Sequence, residues 1–180
     1  AKKLSVSFDT NLTTTKYKNM YSLEKDILPK FVKPSSGASQ VRLSVSADHF
    51  GKKLSWIRYP IDVSSFEVNL FKYKEYINSI KCTVSILNVY DLKEIEEYYM
   101  NEFGITVNFN CVDRPQMLSI KNIKNKDIWI PNKKNIGYIR SRLAEDSSED
   151  HIDKMRHYIK SLEQHRNFSL KDAGWNDEDL

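Results

Sequence analysis

A chain of 180 residues can bury one domain-sized core, and 40% hydrophobic against 29% charged residues is the balance of an ordinary globular protein. The net charge of +4 is slight, and 28 basic residues are interspersed with 24 acidic ones, so no general nucleic-acid footprint emerges. No run approaches the roughly 18 apolar residues of a membrane span, so no membrane partner is expected.

In chain order, Leu4, Val6 and Phe8 alternate with Ser5, Ser7 and Asp9, predicting a first strand that ends at Thr10 and Asn11. Residues 13–19 read as a polar loop. Ser22 is placed to cap a short helix with Leu23, Ile27, Leu28 and Phe31, limited by Pro29 and ended by Pro34 and Gly37. A second strand is expected over 41–47, and Gly51 lets the chain turn into a loop. Ser64 or Ser65 then caps a helix whose stripe is Phe66, Leu70, Tyr73 and Ile77.

The third strand is expected over 80–87, with Asn88 at its end. Asp91 with Glu94 looks like a capping box for a helix that buries Leu92, Ile95, Tyr99 and Phe103 and stops at Gly104. A fourth strand over 105–112 follows. Beyond it, 117–123 reads as a short strand and 127–130 as a short apolar element. Ile136, Ile139 and Leu143 suggest a helix, and a last helix runs over 151–165 with Ile152, Met155, Ile159 and Leu162 buried. The acidic tail NFSLKDAGWNDEDL is expected to be only partly ordered.

Strands alternating with helices in this way predict an α/β fold with a parallel sheet and β-α-β crossovers. Ligands of such sheets sit beyond the C-terminal strand ends. Those ends are all polar here: Thr10-Asn11, Ser46 to Asp48, Asn88, and Asp113-Arg114. The stretch 41–60 is the richest of them. Its strand ends in a hydroxyl and a carboxylate, and Arg58 returns twelve residues after Ser46, a set that would suit a small zwitterion. An edge strand with a solvated polar face is the plainer alternative.

Other groupings carry less. Cys82 and Cys111 lie far apart and form no metal-ligand or redox motif, so they read as buried thiols in a reduced compartment. His151, His157 and His165 share a helix, but no pair has the i, i+4 spacing of a metal site. His49 beside Asp48 reads either as an acid–base group or as a loop residue. Lys121, Lys124, Lys126, Lys133 and Lys134 make one local basic cluster.

The order of short motifs TN, VSAD, IRYP, TVSILNVYDL and DRPQMLSIKNI resembles the radical S-adenosylmethionine (SAM) proteins, nearest the twitch-type members common in bacteriophages. The similarity spans 4–123 and the closing LEQHRNFSLKD. It implies strands three to six of a partial (β/α)6 barrel over 1–115, and a C-terminal extension of short strands and helices over 116–180.

By that resemblance Ser46 and Arg58 match positions that contact the SAM carboxylate. Asn11 matches a position near the ligand, Asp48 the acidic residue ending a strand, and Asn88 a strand end near the nucleoside. For Asn11, Asp48 and Asn88 turn chemistry is the alternative, and for Arg58 an ion pair with Asp48 or Asp62. The family's CxxxCxxC loop and GGEP-like stretch, which would precede TN, are not in this sequence.

The chain starts at Ala1 directly in a strand, as a piece that begins inside a fold would. A 4Fe-4S cluster is therefore expected only in a complete protein, from a missing N-terminal segment or a partner chain. The function implied is the SAM-binding C-terminal portion of an enzyme that makes a 5′-deoxyadenosyl radical and abstracts hydrogen from a substrate the sequence does not identify. The setting is cytoplasmic, in a bacterial or phage-infected host cytosol. Two alternatives stand beside it: a catalytically silent α/β binding module, and a nucleic-acid-associated module using the lysines at 121–134.

Overall fold

The computed structural model describes residues 5–13, 16–17, 21–28, 40–131, 136–147 and 149–176. Four strands form one all-parallel sheet: β1 (Ser5–Thr10), β2 (Gln40–Ser46), β3 (Ile77–Val84) and β4 (Val107–Cys111). Their order in the sheet is their order in the chain, so the expected α/β fold with parallel pairing is present. Sequential order with right-handed crossovers sends every connecting helix to one face and leaves no topological switch point.

The β2–β3 connection holds α1 (Gly51–Ile57) and α2 (Val63–Tyr73), and β3–β4 is joined by α3 (Leu92–Phe103). Helix α2 buries Phe66, Leu70 and Tyr73 as its spacing predicts. Its cap is Asp62 rather than either serine: the Asp62 carboxylate accepts from the Ser64 and Ser65 N–H groups and from the Ser65 hydroxyl. Ile77 leaves the helical stripe altogether, because a 3-10 turn (Lys74–Tyr76) intervenes and Ile77 opens β3.

Helix α1 replaces the expected loop. Its buried residues, Leu54 and Trp56, are two apart and show no helical stripe, because each faces a different core. Helix α3 buries Leu92, Ile95 and Tyr99 and ends at Gly104 with φ 71°, a left-handed position that favours glycine. Asp91 caps that helix by position only; its carboxylate is bonded elsewhere, so the expected capping box does not form.

Several boundaries move. Residues 13–19 include a two-residue antiparallel ladder, Lys16–Tyr17 with Tyr21–Ser22. Ser22 does cap a helix, a five-residue π-turn (Leu23–Ile27), while Pro29, Phe31, Pro34 and Gly37 lie outside the described residues. Strand β3 stops at Val84, where the side chain of Asn88 takes over the Ser85 N–H. The strand expected over 117–123 is instead two 3-10 turns, Gln116–Leu118 and Ile120–Asn122.

Three C-terminal helices complete the fold: α4 (Gly137–Leu143), α5 (Glu149–Arg166) and α6 (Leu170–Ala173). Of the tail expected to be partly ordered, the described residues reach Asn176 and include a helix. Ser169 and Asp172 form a capping box for α6, and Trp175 is only 4% exposed. The indole N–H of Trp175 donates to the Leu87 carbonyl at 3.0 Å, and that of Trp56 to the Phe168 carbonyl at 2.9 Å.

One core lies between the sheet and its helices and includes Leu43, Val45, Ile80, Phe66 and Tyr99. A second, around Trp56, Val84, Ile120, Ile139, Met155 and Trp175, binds the C-terminal helices to the strand ends. Among the described residues no helix is long and apolar enough to cross a membrane.

Candidate functional site: the polar sheet face and its strand ends

Alternation along the strands sorts the sheet into two unlike faces. Leu43 and Val45, Ile80 and Cys82, and Val107 turn inward to the helices and are buried. The positions between them turn the other way, and the register aligns them: Asp9 with Ser44 and Ser79, Ser46 with Lys81 and Asn108, Thr83 with Asn110. All are polar. The Lys81 ammonium reaches over β2 to the Asp9 carboxylate at 2.6 Å, which confirms that both side chains stand on this face. An all-parallel sheet ordinarily covers both faces with apolar packing. A wall of hydroxyl, amide and charged groups departs from that pattern; Ser44 and Ser79 in it are buried, while Asp9, Ser46, Lys81, Thr83, Asn108 and Asn110 keep exposed surface.

At the C-terminal end of this wall the residues singled out from the sequence meet. The Asp48 carboxylate binds the Arg58 guanidinium at 2.9 Å and accepts from the Thr83 N–H at 2.7 Å. Asn88 is 1% exposed and fully engaged. Its amide donates to the carbonyls of Asp48 (2.7 Å) and Thr83 (3.0 Å), and its oxygen accepts from the Ser85 N–H (2.8 Å). Asn88 thus stitches the end of β3 to the loop after β2. Ser46 stands on the polar face two residues before Asp48, half-exposed and with no side-chain hydrogen bond among the described residues. Asn11 is exposed at the end of β1, where its oxygen accepts from the Thr13 N–H at 3.3 Å in a turn. Arg58, Asp48 and Asn88 therefore form one network, with Ser46 beside it and Asn11 at a neighbouring strand end.

A buried histidine supports the same loop. His49 is 2% exposed; its Nδ1 accepts from the Phe50 N–H at 2.9 Å, so its Nε2 carries the proton toward Asp91, also at 2.9 Å. Lys53 approaches the same Asp91 oxygen at 2.7 Å. Burial alone would raise the Asp91 carboxyl, but hydrogen bonds from His49 and Lys53 outweigh it and hold the group below its ordinary value. With both ring nitrogens bonded, His49 has no free nitrogen for acid–base work, and it acts as a strut. The Tyr99 hydroxyl donates to the His49 carbonyl at 2.7 Å, and Trp175 packs edge-on against the ring. Asp91 and Trp175 lie 42 and 126 residues from His49, and Lys53 falls in a stretch expected to be loop, so none of them stood out as a partner.

The fit of a SAM carboxylate rests on one orphan. The Arg58 Nε is buried and has no hydrogen-bond partner, although Nη2 is held by Asp48. An arginine with one unpaired N–H, and an unbonded serine hydroxyl two residues before its Asp48 partner, are group types that suit a carboxylate. The cysteines do not suit an iron–sulfur cluster, which takes thiolates. Burial pushes the Cys82 thiol well up, and its sulfur donates to the Asp48 carbonyl at 3.7 Å. Burial likewise pushes Cys111 up to about 11. Among the described residues no cluster of histidine, cysteine and carboxylate side chains could hold a metal ion.

Of the basic cluster, Lys126 donates to the Glu145 carbonyl, and Lys133 and Lys134 lie outside the described residues. No family model, no curated protein and no solved structure matches the chain.

Proposed function

We propose that this chain is the SAM-binding C-terminal portion of a radical SAM enzyme, built as strands three to six of a partial (β/α)6 barrel. The observation that carries the reading is the buried, unpaired Nε of Arg58 at the C-terminal edge of a polar parallel sheet. Arg58 and Ser46 would bind the SAM carboxylate. Asp48 orients the guanidinium, Asn88 holds the two strand ends at fixed separation, and Asn11 bounds the site from β1. In this family the bound cofactor supplies hydrogen abstraction by a 5′-deoxyadenosyl radical.

A polar wall on one side of a sequentially ordered parallel sheet suits the lining of an open barrel. Among the described residues β1 pairs on one side only, and Phe8 on its helix-facing side is 37% exposed. An unpaired parallel edge is where earlier strands would add. A cluster-bearing N-terminal segment or partner chain docks there in this reading, since Cys82 and Cys111 are not cluster ligands.

Calorimetric titration with SAM tests it. Arg58→Ala is expected to weaken binding by about 1.5–3 kcal/mol, the range of a hydrogen bond to a charged group, with Arg58→Lys restoring only part. Unchanged SAM affinity alongside a lowered melting temperature would assign Arg58 a purely structural role and sink the proposal. A second reading, a catalytically silent binding module, is favoured by the Asp48–Arg58 pairing, which partly neutralises the cation. It predicts no SAM binding even with the cluster-bearing segment present.

A further inference from the structure

Past the end of β4 the chain passes through Asp113 and Arg114 into the turn Gln116–Leu118. There Arg114, Pro115, Gln116 and Met117 face His151 and Lys154 of α5 across an open groove of about 720 Å³. Three features of this groove are unexplained by the fold. Arg114 is exposed and has no hydrogen bond or ion pair among the described residues. The Nδ1 of His151 is buried without a partner. Both line a groove whose remaining walls are mostly apolar, with Met117 half-buried at its side.

Among the described residues that line the groove, Arg114 is the cation without an ion pair. Asp113, the carboxylate next to Arg114, is already taken by Arg142 and the Tyr138 hydroxyl. Asp150 is paired with Lys154 at 2.5 Å, which turns that ammonium into half of an ion pair rather than removing it. His151 sits in the first turn of the 18-residue helix α5, where the backbone dipole favours an anion.

We infer that this groove binds a phosphomonoester attached to an apolar body. The donors come from two elements: a guanidinium and an amide on the strand-end loop, an imidazole and an ammonium on the helix. A carboxylate satisfies one planar fork, whereas a phosphomonoester presents three acceptor oxygens and close to two charges to donors on both sides. Pro115 and Met117 would cover the apolar part. The site lies at the ligand-bearing end of the sheet but uses none of Asn11, Ser46, Asp48, Arg58 or Asn88, so it stands whether or not SAM binds.

The test is a titration of the whole chain with phenyl phosphate in phosphate-free buffer, followed by amide NMR shifts, beside phenol, benzoate and a 16-nucleotide single-stranded DNA. Phenyl phosphate is expected to bind at least tenfold more tightly than benzoate and to shift the Arg114 and His151 amides. Arg114→Gln and Lys154→Gln should each weaken it, the first by about tenfold, while Lys93→Gln on α3 leaves it unchanged. Equal affinities for phenyl phosphate and phenol, or an unaltered affinity in a folded Arg114→Gln variant, would overturn the assignment. So would benzoate binding more tightly, or the DNA binding through Arg114 while phenyl phosphate does not.

Discussion

The two faces of the sheet are made by the same strands and differ at every neighbouring residue. Ile80 is fully buried under the helices, while Lys81, one position on, stands on the polar wall and crosses to Asp9. On the helix side, energy comes from apolar area removed from water. On the polar side Ser44 and Ser79 are buried, but the exposed charges, Lys81 and Asp9 among them, contribute little to holding the fold. Alternation alone therefore separates the apolar packing from the exposed polar groups. The strand ends break this separation: Asp48, Asn88 and His49 are polar yet buried, and each is held by hydrogen bonds within the fold.

The largest expected effect is at Ile80. Ile80→Ala removes a buried side chain from the first core and should cost about 2–5 kcal/mol in urea unfolding. A loss below 1 kcal/mol would mean that the helix-facing side is not the load of the fold. Next comes Asn88→Ala, which leaves the Ser85 N–H and the carbonyls of Asp48 and Thr83 without their partner. A loss of about 1–3 kcal/mol is expected for leaving such buried groups unmet. A neutral outcome would show that the strand ends are held together by something other than this amide. The smallest effect is at Lys81. Its ion pair with Asp9 is 41% and 62% exposed, so Lys81→Ala should change stability by about 0–1 kcal/mol. A loss as great as that of Ile80→Ala would erase the contrast between the two faces.

Much of the fold was legible because its signals are periodic. The strands at 41–47 and 105–112 and the helix over Leu92, Ile95 and Tyr99 were found within a few residues of their observed bounds, since one face of each is buried. Helix α1 was missed for the opposite reason: Leu54 and Trp56 serve two cores, so no single stripe forms. The strand expected over 117–123 failed because its apolar residues fill a gap beside the second core without pairing in the sheet. Of the candidate site, the polar strand ends could be read directly. The partners could not: Asp48 with Arg58 was one option among two, and Asp91 looked like a cap until His49 and Lys53 claimed its carboxylate.

What the sequence determined by itself is the alternation: which residues of each strand face apart, where strands end in polar groups, and where helices start and stop. These follow from backbone period and local capping, which need no distant partner. Only the tertiary structure decided which polar ends meet. It joined β1 to β4 in chain order, so that Asp9 and Lys81 face each other across β2. It also drew Trp175 back onto Leu87, His49 and Trp56, which local sequence rules give no means to foresee. Burying two indoles, each with its N–H bonded, outweighs the entropy of fixing the segment around Trp175, and no local rule records that gain.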